Sequence, residues 1–151
     1  MTVPDYKRLF EYECWANRLV AEALTASASP ALTLFGHILA SQRLWLDRMT
    51  GTPQSMPVWP TLTLDECTTL LERLEADWSR FLDDLSNEGL EHTFDYVNSK
   101  GIAWSSTVAD ALMHLIVHAA YHRGQIALRI RLRGDDPPYT DFIQVTRQGL
   151  L

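Results

Sequence analysis

The chain has 151 residues, 46% of them apolar and 21% charged, with a net charge of −6. That is ample for one buried core and unlike a disordered segment, so a single domain over residues 1–151 is expected. The acidic balance offers no general electrostatic attraction to nucleic acid, and no apolar run approaches the roughly 20 residues that a membrane helix needs.

In chain order, the first predicted helix starts near Pro4, a residue suited to a first turn, and runs to about Thr25. Leu9, Phe10, Cys14, Leu19, Val20 and Ala23 recur along it at helical spacing. The opening stretch MTVPDYKRLFEYECW lacks the tripartite pattern of a signal peptide, and a cytoplasmic location is expected. Ser29-Pro30 reads as an N-cap followed by proline at the first helical position. The second helix then carries Leu34, His37, Ile38, Ser41, Leu44 and Trp45, and stops at Gly51. TPQSMPVWPTLT is an irregular connection, dense in proline.

Thr63 and Glu66 form a capping-box pattern at the start of the third helix. Its apolar residues, from Leu64 through Leu74 and Trp78 to Leu85, trace one buried face. Asn87 to Gly89 ends it. HTFDYVNSKGIAWSS is predicted to be a short hairpin or an irregular excursion. A fourth helix starts near Thr107, with Asp110 as a weaker capping partner, and runs to Arg133, where Gly134 stops it. YTDFIQVTRQGLL follows as a tail. Four helices of this length with one long crossover predict an all-α four-helix bundle. Cys14 and Cys67 are too few and too isolated for a disulfide framework or a thiolate metal cluster, and each reads as a small buried apolar residue.

The fourth helix contains HLIVHAAYHRGQI, in which His114, His118 and His122 follow one another every four residues. Residues four apart share a helix face, about 6 Å apart along the axis, so two imidazoles can converge on one ion. Neutral imidazole suits Zn, Ni, Cu and Fe. Ala119 stands where a zinc protease helix carries glutamate, which excludes that chemistry. His114 and His122 lie about 12 Å apart along the axis, too far to share an ion whose ligands sit about 2 Å from it. Val108, Leu112, Leu115, Ala119, Ile126 and Ile130 define the inward arc of the helical wheel. His122 lies nearest that arc, His118 at its edge and His114 beyond, which favours His118 and His122 as the pair. A third ligand must come from elsewhere. His37 is one candidate, although a lone histidine on an apolar face also reads as a hydrogen-bonded core residue. Asp47 and Asp110 are possible carboxylate ligands, and His92 reads as surface.

HLIVHAAYHRGQIALRIRLRGDDPPYTDFI resembles the C-terminal half of the DinB (DinB/YfiT-like) family, with its His-x-x-x-His-Arg-Gly-Gln segment on the last bundle helix. HILASQRLWLDRM looks like the family's second-helix motif, and STVADALMHL like its lead into the fourth helix. The likeness extends from His37 to Ile143 and leaves the first helix little marked. It implies an up-down-down-up four-helix bundle, a homodimer, and one divalent ion (Zn, Ni or Fe) on His37, His118 and His122. It also implies that Gly124 permits close helix packing, that Arg123 pairs or caps, and that Gln125 donates from behind the ligands.

Three histidines would leave the ion open to water or substrate, the arrangement of a catalytic site. Characterised relatives in the family include transferases that act on low-molecular-weight thiols such as bacillithiol or mycothiol, and a thiol-using isomerase. The resemblance therefore implies a thiol S-transferase with a small-molecule substrate. A metal-dependent hydrolase and a non-catalytic, stress-associated metal-binding bundle are the alternatives. No general base is legible. Tyr121, Gln125 and Arg129, beside and beyond the histidines, are candidate pocket residues for a bound thiol or substrate.

Overall fold

The structure, a computed structural model, describes residues 1–25 and 29–151. Its elements are α1 (Val3–Ala23), α2 (Pro30–Met49), α3 (Leu64–Asp84), a 3-10 turn at Glu88–Glu91, β1 (Thr93–Val97), β2 (Ala103–Thr107), α4 (Val108–Leu132) and α5 (Phe142–Arg147). The expected all-α four-helix bundle is therefore present, with a two-stranded hairpin before its last long helix.

Helix starts follow local chemistry. The backbone N–H of Thr2 donates to the Asp5 carboxylate at 2.7 Å. Ser29 Oγ accepts from Leu32 N–H. Thr63 and Glu66 exchange the two bonds of a capping box, at 2.7 and 3.2 Å. At α4, Thr107 Oγ1 accepts from Asp110 N–H at 3.1 Å. Gly51 and Gly134 end α2 and α4 at φ 67° and 92°, a conformation that costs other residues a steric penalty.

α1 packs on α3 and α4, and α2 packs on α3 and α4. Phe35, Ile38, Leu39, Leu74, Leu112, Leu115 and Ile126 are fully buried at the shared centre. Phe10 and Trp78 join α1 to α3, with ring centroids 4.6 Å apart. Cys67 is buried as expected, whereas Cys14 is only half-buried; both are free thiols. Burial pushes the Cys14 thiol up to about 12, so it is unreactive.

The excursion after α3 is an antiparallel hairpin that pairs Thr93 with Thr107 and Val97 with Ala103. Its turn is held by Asn98 Oδ1, which accepts from Lys100 and Ile102 N–H. The hairpin is fixed to α2 by Trp45, whose ring packs edge-on against Phe94 and Tyr96, and by Arg48, which lies over Trp45 and Tyr96.

The tail forms α5, an element that sequence periodicity does not reveal because six residues make fewer than two turns. Phe142 and Val145, three apart, pack on Tyr12, Trp15 and Ala16 of α1. Tyr12 Oη donates to Thr140 O at 2.8 Å. Tyr12 also meets Arg123, whose guanidinium grips Glu13 through two bonds of 2.7 and 2.8 Å. Arg123 and Glu13 are 3% and 1% exposed, so Arg123 pairs as expected and ties α4 to α1. Gly124 does not do what was expected within this chain. It is exposed, and a Cβ placed there would meet nothing within 4 Å. Among the described residues, no helix is long and apolar enough to cross a membrane.

Candidate metal centre

α2 and α4 form the most extensive helix pair of the bundle, and the site lies across their seam. His37 occupies the middle of α2 and points at α4. His118 and His122 sit one turn apart on the facing side of α4. Their ligand-capable atoms all lie within 4.8 Å of one another, close enough for the three residues to hold a metal ion. His37 Nε2 and His118 Nε2 are 3.1 Å apart. Two nitrogens each about 2.0–2.1 Å from one ion, at angles between octahedral and tetrahedral, are separated by roughly 2.8–3.4 Å.

The outer nitrogens orient the rings. His37 Nδ1 lies 2.8 Å from Val58 O, and His122 Nδ1 lies 2.8 Å from Gln125 Oε1. Both oxygens only accept, so each Nδ1 carries the hydrogen. In the neutral rings, Nε2 then offers a lone pair inward. Such outer bonds fix the tautomer and orientation that a metal ligand needs.

The site also favours the neutral form of His118 and His37. Burial, together with the neighbouring His122, His37 and His114, pushes His118 down from 6.5 to about 3. Burial lowers His37 as well, partly opposed by its bond to Val58 O. Neutral histidines are the form that binds a cation.

A residue that sequence reasoning missed completes the wall. Trp59 stacks flat on His37, with centroids 3.6 Å apart and planes 6° apart, and meets His122 edge-on at 6.2 Å. It comes from the irregular connection between α2 and α3. Pro60 biases Trp59 towards extended backbone. The same connection is pinned by Asp47, whose Oδ2 accepts from Ser55 N–H and Oγ–H at 3.0 and 2.7 Å. The one legible signal for Trp59 was an aromatic residue in a proline-dense loop.

The other candidates separate cleanly. Asp47 is consumed by Ser55 and by Arg43, and it is not a member of the cluster. Asp110 is exposed on the first turn of α4, also outside the cluster. Both are therefore corrected as possible ligands. His92 is exposed, as expected. His114 lies beside the site, its ring 5.3 Å from His118 and 5.2 Å from Trp45. Of the candidate pocket residues, Gln125, expected as a donor, instead holds His122 by accepting from its Nδ1–H, while Tyr121 is 65% exposed and packs its ring 5.1 Å from that of His122. Gln125 and Arg129 line an open groove of about 610 Å³ with Trp59, Leu34 and Leu128. A second cavity, of about 480 Å³ between α1 and α3, contains none of the histidines.

Helix order, the histidine placement on α2 and α4, and the buried Arg123 together invite comparison with known proteins. The sequence profile of the DinB family matches residues 7–148. The chain belongs to the DinB family. Among its DinB relatives is the protein DinB of Bacillus subtilis (strain 168), 24% identical over 156 residues, an alignment that covers 89% of this chain and 90% of that one. The fold is shared with a DinB-like protein from Bacillus cereus ATCC 10987, at a TM-score of 0.65 and 18% identity, covering 91% of this chain and 97% of the other. In this DinB protein the His-Arg-Gly-Gln segment does two separate jobs: His122 and Gln125 face the histidine cluster, and Arg123 faces α1.

Proposed function

We propose that this DinB protein is a metal-dependent enzyme in which His37, His118 and His122 hold one divalent ion with open coordination. Its reaction is the transfer of a low-molecular-weight thiol to, or from, a small-molecule substrate. The observation that carries the reading is the pair of outer bonds, His37 Nδ1 to Val58 O and His122 Nδ1 to Gln125 Oε1, on two of three histidines whose ligand-capable atoms lie within 4.8 Å of one another. No carboxylate joins the three histidines among the described residues. That favours Zn or Ni over Fe, whose open non-haem sites commonly add a carboxylate. When bound, such an ion supplies Lewis acidity and lowers the pKa of a coordinated thiol or water.

The chain's own residues supply the rest. Trp59 covers one face of His37 and shields it from water. Gln125 holds His122 and borders the groove, so one side chain couples ligand orientation to the substrate surface. Arg129 places a cation on the groove wall, suited to an anionic group on the thiol or its partner. Thiol chemistry fits a cytoplasmic protein, since thiols stay reduced there.

The test uses protein loaded with cobalt or nickel, whose visible spectrum reports the coordination of the ion. Bacillithiol, mycothiol and glutathione are titrated separately. A saturable spectral change with one of them, absent in His118→Ala, is the expected result. A spectrum indifferent to every thiol overturns the transferase reading, and hydrolysis of activated esters by the Zn form would then favour the hydrolase.

A further inference from the structure

The connection between α2 and α3 holds His37 in two ways. Nδ1–H of His37 donates to Val58 O, 2.8 Å away, and Trp59, the next residue, stacks on the ring. Neither Val58 nor Trp59 belongs to a helix or strand. Irregular backbone holds a ring only as firmly as it is itself anchored, because a free segment samples many other conformations. Whatever fixes residues 58 and 59 therefore also fixes the ligand.

Two anchors bracket them. On the far side, Pro60 is buried and, with Leu62, lies over Gly36: a Cβ on Gly36 would meet their side chains at 3.9 and 3.8 Å. On the near side, the connection is tied to Asp47, which is 2% exposed. Its Oδ2 accepts both donors of Ser55, N–H at 3.0 Å and Oγ–H at 2.7 Å. Its backbone oxygen accepts from Thr52 N–H at 2.8 Å. Its Oδ1 is held by Arg43 Nε at 2.8 Å, and Arg43 Nη1 reaches on to Asp77 Oδ2 of α3, also at 2.8 Å. An ionised acceptor makes such bonds stronger than neutral ones. Pro53 and Pro57 stand on either side of Ser55. Each fixes its own φ and restricts the residue before it, so few conformations lead from Ser55 to Val58.

We infer that Asp47 is a positioning residue for the metal centre. Through Ser55 it holds the segment that presents Val58 O and Trp59, and so it sets the tautomer and direction of His37. It lies ten positions beyond His37, about 15 Å along α2, and acts on the ring only through the connection. A carboxylate that is no ligand thereby governs metal affinity, as partners behind a ligand do. The effect on the metal rests on the reading of His37, His118 and His122 as its ligands. The effect on the His37 ring does not.

The test compares the full native chain with Asp47→Ala, in which Arg43 keeps Asp77 as a partner, and with Ser55→Ala, which keeps the backbone N–H bond. In metal-free protein at mildly alkaline pH, long-range proton–nitrogen NMR reads which nitrogen of each histidine carries the hydrogen. Native His37 is expected to carry it on Nδ1. In Asp47→Ala it is expected to become a mixture of tautomers, while His122, held by Gln125, stays unchanged. Ser55→Ala should move the same way by less. Zinc affinity, read by chelator competition, is expected to fall about tenfold in Asp47→Ala and by less in Ser55→Ala. A native His37 tautomer in both variants overturns the inference. That includes an Asp47→Ala protein that melts at a lower temperature with His37 unchanged, since Asp47 would then serve stability alone. If Asp47→Ala does not fold, Ser55→Ala, at an exposed loop position, decides by the same two readouts. A native chain that binds no zinc overturns the metal reading instead, and the tautomer of His37 still decides the role of Asp47.

Discussion

His37 and His118, 81 positions apart in the chain, bring their Nε2 atoms to 3.1 Å across the α2–α4 seam. At that distance two neutral imidazoles either share one hydrogen or share one cation. His122 is the third member of the cluster, and its outer nitrogen is already committed to Gln125. The three rings are close enough together to hold one cation among them.

Metal content separates ligands from neighbours. His37→Ala, His118→Ala and His122→Ala are each expected to lose about one ion per chain by elemental analysis, since two imidazoles do not complete a site. His114→Ala is expected to keep its metal. Stoichiometric metal in His118→Ala would contradict the assignment.

Gln125 tests the role of the outer bonds. Gln125→Leu keeps the bulk beside His122 but removes the acceptor for Nδ1–H. Loss of such a partner typically costs 10–100-fold in metal affinity. A chelator-competition titration reads this directly, and an affinity equal to native would show that Gln125 does not orient the ligand.

Acid should weaken the metal-free fold. In the unfolded chain His118 takes a proton near 6.5, but in the fold only near 3. Below 6.5 the unfolded state therefore binds the extra proton, and stability falls with pH. The contribution is fully present above pH 6.5 and is lost progressively towards pH 3. His118→Gln should show a shallower decline in melting temperature between pH 6.5 and 5, above the range where most carboxylates titrate. Parallel pH profiles for the two proteins would refute it.

The α1–α4 ion pair predicts a different behaviour. Arg123→Met strands Glu13 in the core, and breaking a buried pair from one side costs about 3–5 kcal/mol. Replacing both, as Glu13→Gln with Arg123→Met, should cost less than the Arg123 change alone. Urea unfolding measures both, and metal content should survive wherever the fold does.

Much of this molecule was legible in the chain itself. The capping residues Ser29, Thr63 and Thr107 stand where helices begin, because a cap is a local bond between residues two or three apart. The i, i+4 spacing marked the three histidines of α4 for the same local reason, and their places on the helical wheel favoured His118 and His122 over His114. His37 was harder: on the residues alone it remained a core histidine or a ligand, and the family likeness supplied the preference. Only the packing of α2 on α4 sets it against the other two.

Trp59, Val58 and the short helix α5 lay beyond such reading. Their positions depend on contacts between segments far apart in sequence, for which no local period exists. Gly124 shows the limit most plainly. In the sequence it looked like a device for packing helices within the bundle, and the fold turns it outward. Local backbone chemistry determined which segments are helices and which histidines share a face. The tertiary structure decided which faces meet, because that follows from burying all four helices at once, with Arg123 held between Tyr12 and Glu13.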